Sequence, residues 1–299
     1  MVERVSYRGW QNCFRISDGR MELIVTGDVG PRVIRFGLVG GDNLFAEREG
    51  EVGCTGGNEW RIYGGHRLWH SPEARPRTYV PDNDPVDVRE EEGVLVAVQP
   101  TEPGTGIQKE LRIKLEDGGI TVVHRLYNRG LWPVELAPWA LSVMASGGVG
   151  IVPLPAEPSD PDKLLPNRVV VLWPYSDMRD PRVLWGSKYV MLRQEPGNAR
   201  PFKFGVNAQD GWAAYVKGEL LFVKRFDYRS KCLYPDFGCS VEMYTNEWML
   251  ELETLGPLVR LEPGEVTEHV ERWFLVEGVR AETEEEVEMK VRPCIEGLR

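Results

Sequence analysis

The chain has 299 residues, with 36 Lys+Arg against 46 Asp+Glu and a formal net charge of −10. At 42% hydrophobic and 27% charged, its composition is that of a folded globular protein and excludes a disordered chain. The acidic balance, with no basic run, argues against a nucleic-acid partner, whose phosphates need clustered Lys and Arg.

The opening Val2-Glu3-Arg4-Val5 lacks the apolar run of a signal peptide, which gives a cytoplasmic expectation. The five cysteines are odd in number and form no CxxC pair. Free thiols follow for a reducing compartment, with a Cys232–Cys239 disulfide as the alternative. Along the chain the dominant hydrophobic period is two. Strands are predicted at Met21–Thr26, Gly93–Val98, Ile107–Leu115, Ile120–Tyr127, Val169–Trp173, Trp212–Val216, Leu220–Phe226 and Val270–Val276. Turn signals such as Glu116-Asp-Gly-Gly119 and Glu262-Pro-Gly264 separate them. Leu131 to Leu154 carries one charge, Glu135, but its prolines and glycines read as a buried strand and turn, not a membrane span. A helix is predicted from Thr283, where Thr283-x-x-Glu286 fits a capping box, to Val291, with Pro293 as its stop. A short helical turn is placed near Ser159–Leu165. Glu47–Val86 and Pro153–Asn167 read as long irregular segments, the first an ordered loop set over one end of the sheets. No linker divides residues 1–299, so a single all-β domain of antiparallel sheets is expected, a sandwich or barrel.

Phosphate loops, dinucleotide fingerprints, nucleophile elbows and HExxH zinc helices are absent, and there are four histidines in all. No cofactor and no metal are expected. Three constellations carry chemistry. In Trp60-Arg-Ile-Tyr-Gly-Gly-His-Arg-Leu-Trp-His-Ser-Pro-Glu73, two glycines precede His66, Arg67, Trp69, His70 and Glu73. Donors, a flat aromatic face and a carboxylate suit a sugar, with its polar edges and apolar C–H faces. The plainer reading is a loop whose Arg and His satisfy nearby carbonyls. In Trp248–Pro257, a strand would turn Glu251 and Glu253 to one face, roughly 7 Å apart, and Leu250, Leu252 and Thr254 to the other. Such a pair prepares an acid or base, or is simply a solvated outer face. Lys203, between Phe202 and Phe204, faces either a polar pocket or solvent, and Glu242 and Tyr244, on the strand before Trp248, are equally open.

Val241-Glu-Met-Tyr-Thr-Asn246, Leu252-Glu-Thr254 and Leu261-Glu-Pro-Gly-Glu265, in that order, together with Tyr63-Gly-Gly-His-Arg-Leu-Trp69, resemble the galactose mutarotase-like superfamily of aldose 1-epimerases and hexose-6-phosphate mutarotases. The resemblance covers most of the chain. It implies a β-supersandwich of large twisted antiparallel sheets with a sugar cleft on one concave face. It also implies Glu253 as the base that takes the anomeric hydroxyl proton; Arg67, Trp69, Glu73, Lys203, Glu242 and Glu251 are the candidate binding residues. The family's acid histidine lies on a central strand. The matching stretch, Leu136-Ala-Pro-Trp-Ala-Leu141, has none. Either His66 or His70 supplies the acid from the loop, or the protein is a carbohydrate-binding module or sensor that holds sugar without turning it over. The implied partner is a carbohydrate, a monosaccharide or sugar phosphate, with no nucleic acid and no membrane.

Overall fold

The computed structural model describes residues 2–158 and 165–298. The helical turn expected near Ser159–Leu165 therefore falls almost wholly outside the described residues. The described chain is built on two large antiparallel sheets. The first runs Val2–Tyr7, Trp10–Ser17, Met21–Thr26, Arg32–Leu38, Gly65–Ser71, Val134–Ala145, Met249–Leu255, Val241–Thr245, Phe202–Val206 and Val170–Leu172, with Val259–Leu261 paired to the start of Val134–Ala145. The second runs Val183–Trp185, Tyr189–Arg193, Val149–Pro153, Trp212–Lys217, Leu220–Phe226, Val266–Glu277, Gly119–Asn128, Ile107–Glu116, Val94–Val98 and Asp87–Glu91.

The sheets stack because each strand turns one row of apolar side chains inward. Phe36 and Phe45 from the first layer meet Phe222 and Trp273 from the second, with ring centroids 5.4–6.2 Å apart. Edge-to-face contacts of this kind add to the burial itself. The low-charge stretch read from Leu131 onward supplies Val134–Ala145 and Val149–Pro153, buried strands with neighbours on both sides. No helix among the described residues is long and apolar enough to cross a membrane.

Two sequence expectations change. The supposed loop Glu47–Val86 contains the strand Gly65–Ser71, wholly buried and paired with Arg32–Leu38 on one side and Val134–Ala145 on the other. The helix does not stop at Pro293. It runs from Glu284 through a π turn at Val287–Val291 into Arg292–Gly297. Pro293 sits in the first turn of that last segment, where a missing N–H is tolerated. The cap is as expected, the Glu286 amide donating to Thr283 Oγ1 at 3.3 Å. Cys232 is exposed and Cys239 buried, and both are free thiols.

Candidate functional site: an aromatic cleft above a buried ion cluster

The outer face of the first sheet carries a cleft of about 420 Å³. Its floor is set by alternation on five adjacent strands. On Gly65–Ser71, Arg67 and Trp69 face the cleft. On Val134–Ala145, Trp139 and Leu141 do so. Glu251 comes from Met249–Leu255, Tyr244 from Val241–Thr245 and Lys203 from Phe202–Val206. As period two requires, Leu250 and Leu252 point the other way, into the core between the sheets.

One wall is a cluster of Trp60, Trp69 and Tyr79, with ring centroids 5.1–5.7 Å apart. The opposite side is lined by Tyr175, Tyr244 and Trp248. Glu73 lies at the rim and accepts the Tyr79 hydroxyl hydrogen bond. Arg67 is buried, 2% exposed, with its guanidinium carbon 4.4 Å from the Trp69 ring centroid. Its Nη2 donates to Glu251 Oε1 at 3.1 Å, while Nε and Nη1 have no protein partner among the described residues. Burial pushes the Glu251 carboxyl up; Arg67 opposes that, and the Glu253 charge adds to it, leaving it raised.

Beneath this surface, Lys203 meets two carboxylates that do not line the cleft, Glu242 and Glu253. Lys203 Nζ is 3.0 Å from Glu253 Oε2 and 2.8 Å from Glu242 Oε2, and both carboxylates are wholly buried. The Glu242 contact is close but poorly angled for a hydrogen bond, and neither Glu242 oxygen has a well-directed donor. The indole Nε1 of Trp139 donates to Glu253 Oε2 at 2.7 Å. Lys203 also sits 4.7 Å from the Trp139 ring centroid and 4.6 Å from that of Trp173. Burial pushes the Lys203 ammonium down, but Glu242 and Glu253 outweigh it and hold it well above its ordinary value. One cation cannot neutralise two buried carboxylates. Burial, opposed by Lys203 and reinforced by Glu253, pushes the Glu242 carboxyl well above its ordinary value.

The sequence therefore named a group the fold does bring together: Arg67, Trp69, Glu73, Lys203 and Glu251 line the cleft, with Glu242 and Glu253 under Lys203. His66 and His70, expected to serve the site, do not line the cleft. Both lie on the core face of Gly65–Ser71, because residues 66 and 70 alternate with 67 and 69. His66 Nδ1 is 2.8 Å from Ser142 Oγ and its Nε2 is 2.7 Å from His124 Nε2. His70 is fully buried with both ring nitrogens unpartnered among the described residues, and burial pushes it down to about 3. Gly64 and Gly65 serve packing rather than ligand approach. A Cβ on Gly64 would lie 1.9 Å from the Ala46 carbonyl oxygen, and one on Gly65 2.3 Å from that of Val33. The sequence did not single out Arg48, Tyr175 or Trp248 as site residues; aromatics on separate loops show no spacing to connect them.

The donor atoms of His66, His124 and Glu271 lie within 4.8 Å of one another, the separation a metal ion needs. Their hydrogen bonds describe a different object. His124 Nδ1 donates to the His269 carbonyl at 2.9 Å, so His124 Nε2 accepts from His66 Nε2, and His66 Nδ1 accepts from Ser142. Glu271 takes Lys224 at 2.7 Å, Thr254 at 2.5 Å and Trp273 Nε1 at 2.7 Å. A divalent ion here would add charge beside the buried Lys224, with no further carboxylate among these contacts to balance it. The donor set fits a closed hydrogen-bond network better than a metal.

No family model matches the chain, and no curated protein matches it. Solved structures do. A galactose mutarotase-like protein from Lactobacillus casei ATCC 334 superposes with a TM-score of 0.57 at 9% identity, covering 89% of this chain and 100% of that one. This chain has the galactose mutarotase-like fold. A galactose mutarotase-like protein from Clostridium acetobutylicum gives a TM-score of 0.54 at 11% identity over 93% and 98% of the two chains. The Slr1438 protein of Synechocystis sp. PCC 6803 gives 0.56 at 12% identity over 92% and 99%. The fold is common to all of them.

Proposed function

We propose that this is a carbohydrate-binding protein that holds its sugar on the cleft floor without the acid–base pair that anomer exchange needs. Arg67 carries the reading. Two of its nitrogens, Nε and Nη1, are buried without a partner among the described residues, in a cleft walled by Trp60 and Trp69. A buried unmet donor costs free energy until an acceptor arrives, and a sugar hydroxyl or ring oxygen supplies one while its C–H face covers the indoles. Against turnover, Glu253 is capped by Lys203 and Trp139, and no histidine lines the cleft. The neighbours' names agree with a sugar ligand.

A second reading, interconversion of aldose anomers, has one observation in its favour. Glu251 and Glu253 share a face, and Glu251 lines the cleft with a raised carboxyl that could lend a proton. Proton NMR on freshly dissolved α-anomers, neutral and 6-phosphorylated, separates the two. Ligand line-broadening without faster equilibration supports binding alone. Faster equilibration that Glu253→Gln abolishes moves the protein to the isomerases. Neither signal with any sugar removes the carbohydrate reading.

A further inference from the structure

The aromatic walls lie far apart on the sheet. Trp69 pairs with Trp139, Trp139 with Leu255, and Tyr244 with Glu251, four residues along the same strand from Leu255. Three strand spacings across and four residues along put the Trp69 and Tyr244 Cα atoms roughly 20 Å apart, and strand side chains stand nearly upright from a sheet. One six-membered ring can cover one such wall but not both. Between them run the Arg67–Glu251 pair and Lys203, a polar middle flanked by two apolar ends.

Each end also carries a cation. Arg75 stacks with its guanidinium carbon 3.9 Å from the Tyr79 centroid, and Arg48 lies 4.9 Å from that of Trp248. Both line the cleft. Among the described residues neither has a carboxylate within 4.0 Å, although Glu51 and Glu73 are on the same rim. Stacking fixes the plane of a guanidinium and leaves its edge donors free for a two-pronged acceptor.

We infer that the cleft binds an acidic saccharide of at least two rings, one ring against each aromatic wall and the anionic groups toward Arg48 and Arg75. This rests on the carbohydrate reading and narrows it. The anions are carboxylates or sulfates, which share the same oxygen geometry toward arginine.

Calorimetric titration of the intact protein with glucose, glucuronate, cellobiose, digalacturonate and a sulfated disaccharide tests it. The acidic disaccharides should bind at least about tenfold tighter than both glucuronate and cellobiose, and whichever binds tighter identifies the anion. Trp248→Ala should weaken the acidic disaccharide about tenfold and leave glucuronate within about twofold. The double variant Arg48→Gln, Arg75→Gln, at two exposed positions, should bring acidic and neutral disaccharides to the same affinity and flatten the salt dependence. Circular dichroism confirms that each variant is folded. Monosaccharides that bind as tightly as disaccharides, with Trp248→Ala silent, overturn the two-ring inference and leave the carbohydrate reading intact. Equal binding of neutral and acidic disaccharides by the unmodified protein overturns the anionic part. No binding of any saccharide overturns both this inference and the reading beneath it.

Discussion

Lys203 Nζ stands 3.0 Å from Glu253 and 2.8 Å from Glu242, so a single buried cation serves two buried carboxylates. The two acids are not equivalent in that arrangement. Glu253 also takes the Trp139 indole hydrogen bond at 2.7 Å, whereas Glu242 has no well-directed donor. Glu242→Gln should therefore change stability by no more than about 1 kcal/mol, because it leaves the Lys203–Glu253 pair and the Trp139 hydrogen bond in place. Lys203→Met should cost about 3–5 kcal/mol, because it leaves a buried carboxylate with no counter-charge. Urea midpoints of the two variants check the contrast; equal losses would show that the cluster needs both carboxylates alike.

Arg67 offers a prediction on binding. Arg67→Lys keeps the charge but loses the planar fork and its stacking over Trp69, whose centroid is 4.4 Å away. Affinity for any sugar ligand that the cleft takes should fall about 10- to 100-fold, the range for charge-assisted hydrogen bonds. Isothermal titration measures it, and unchanged affinity would place the ligand elsewhere.

The four histidines are buried and held below their ordinary value, desolvation being the main cause in each case, with His70 and His269 down at about 3. In the unfolded chain a histidine takes up its proton near 6.5. Between those values the unfolded state binds the extra protons, so the stability these residues support is complete above about pH 6.5 and declines as pH falls toward 3. Glu242 and Glu251, whose carboxyls are raised by burial, act in the opposite sense above pH 4.5. Between pH 6.5 and 5 the histidines favour proton uptake on unfolding and the two carboxyls oppose it, so the slope is smaller than four histidines alone would give. Urea midpoints across that window should fall with acid, and a flat profile would mean that the histidines are not buried neutral.

Gly64 has φ +103°, and its Cβ would meet the Ala46 carbonyl oxygen. Gly147 has φ +88° with open space around it. Gly64→Ala should cost at least about 3 kcal/mol, through backbone strain and collision together, and Gly147→Ala only about 1–2, through strain alone. Thermal unfolding of the pair separates the two contributions, and a similar cost for both would show that the Gly64 neighbourhood yields.

How much could be read beforehand depended on what each strand has on its two faces. Met249–Leu255 was legible because glutamates and leucines alternate along it, and its outward face was assigned correctly. Gly65–Ser71 was not. Every residue in it is buried, with Arg67 and Trp69 under the cleft and His66 and His70 under the opposite sheet, so no polar–apolar rhythm marks it. Polar residues on both faces looked like a loop, and His66 and His70 were read as loop residues. The aromatic wall of Tyr175 and Trp248 had no local signal at all, since only the tertiary fold brings those loops together.

The cleft floor also constrains how the chain can reach its native state. The strand Val134–Ala145 lies between Gly65–Ser71, some seventy residues earlier, and Met249–Leu255, more than a hundred residues later. No contiguous fragment short of about two thirds of the protein contains the whole floor. Local pairings such as Ile107–Glu116 with Gly119–Asn128 need only a short turn, whereas the ligand surface waits for closures of very long loops. During synthesis the first half of the protein must therefore keep an unfinished, apolar sheet edge in solution until the last hundred residues emerge, which makes that interval the period of greatest aggregation risk.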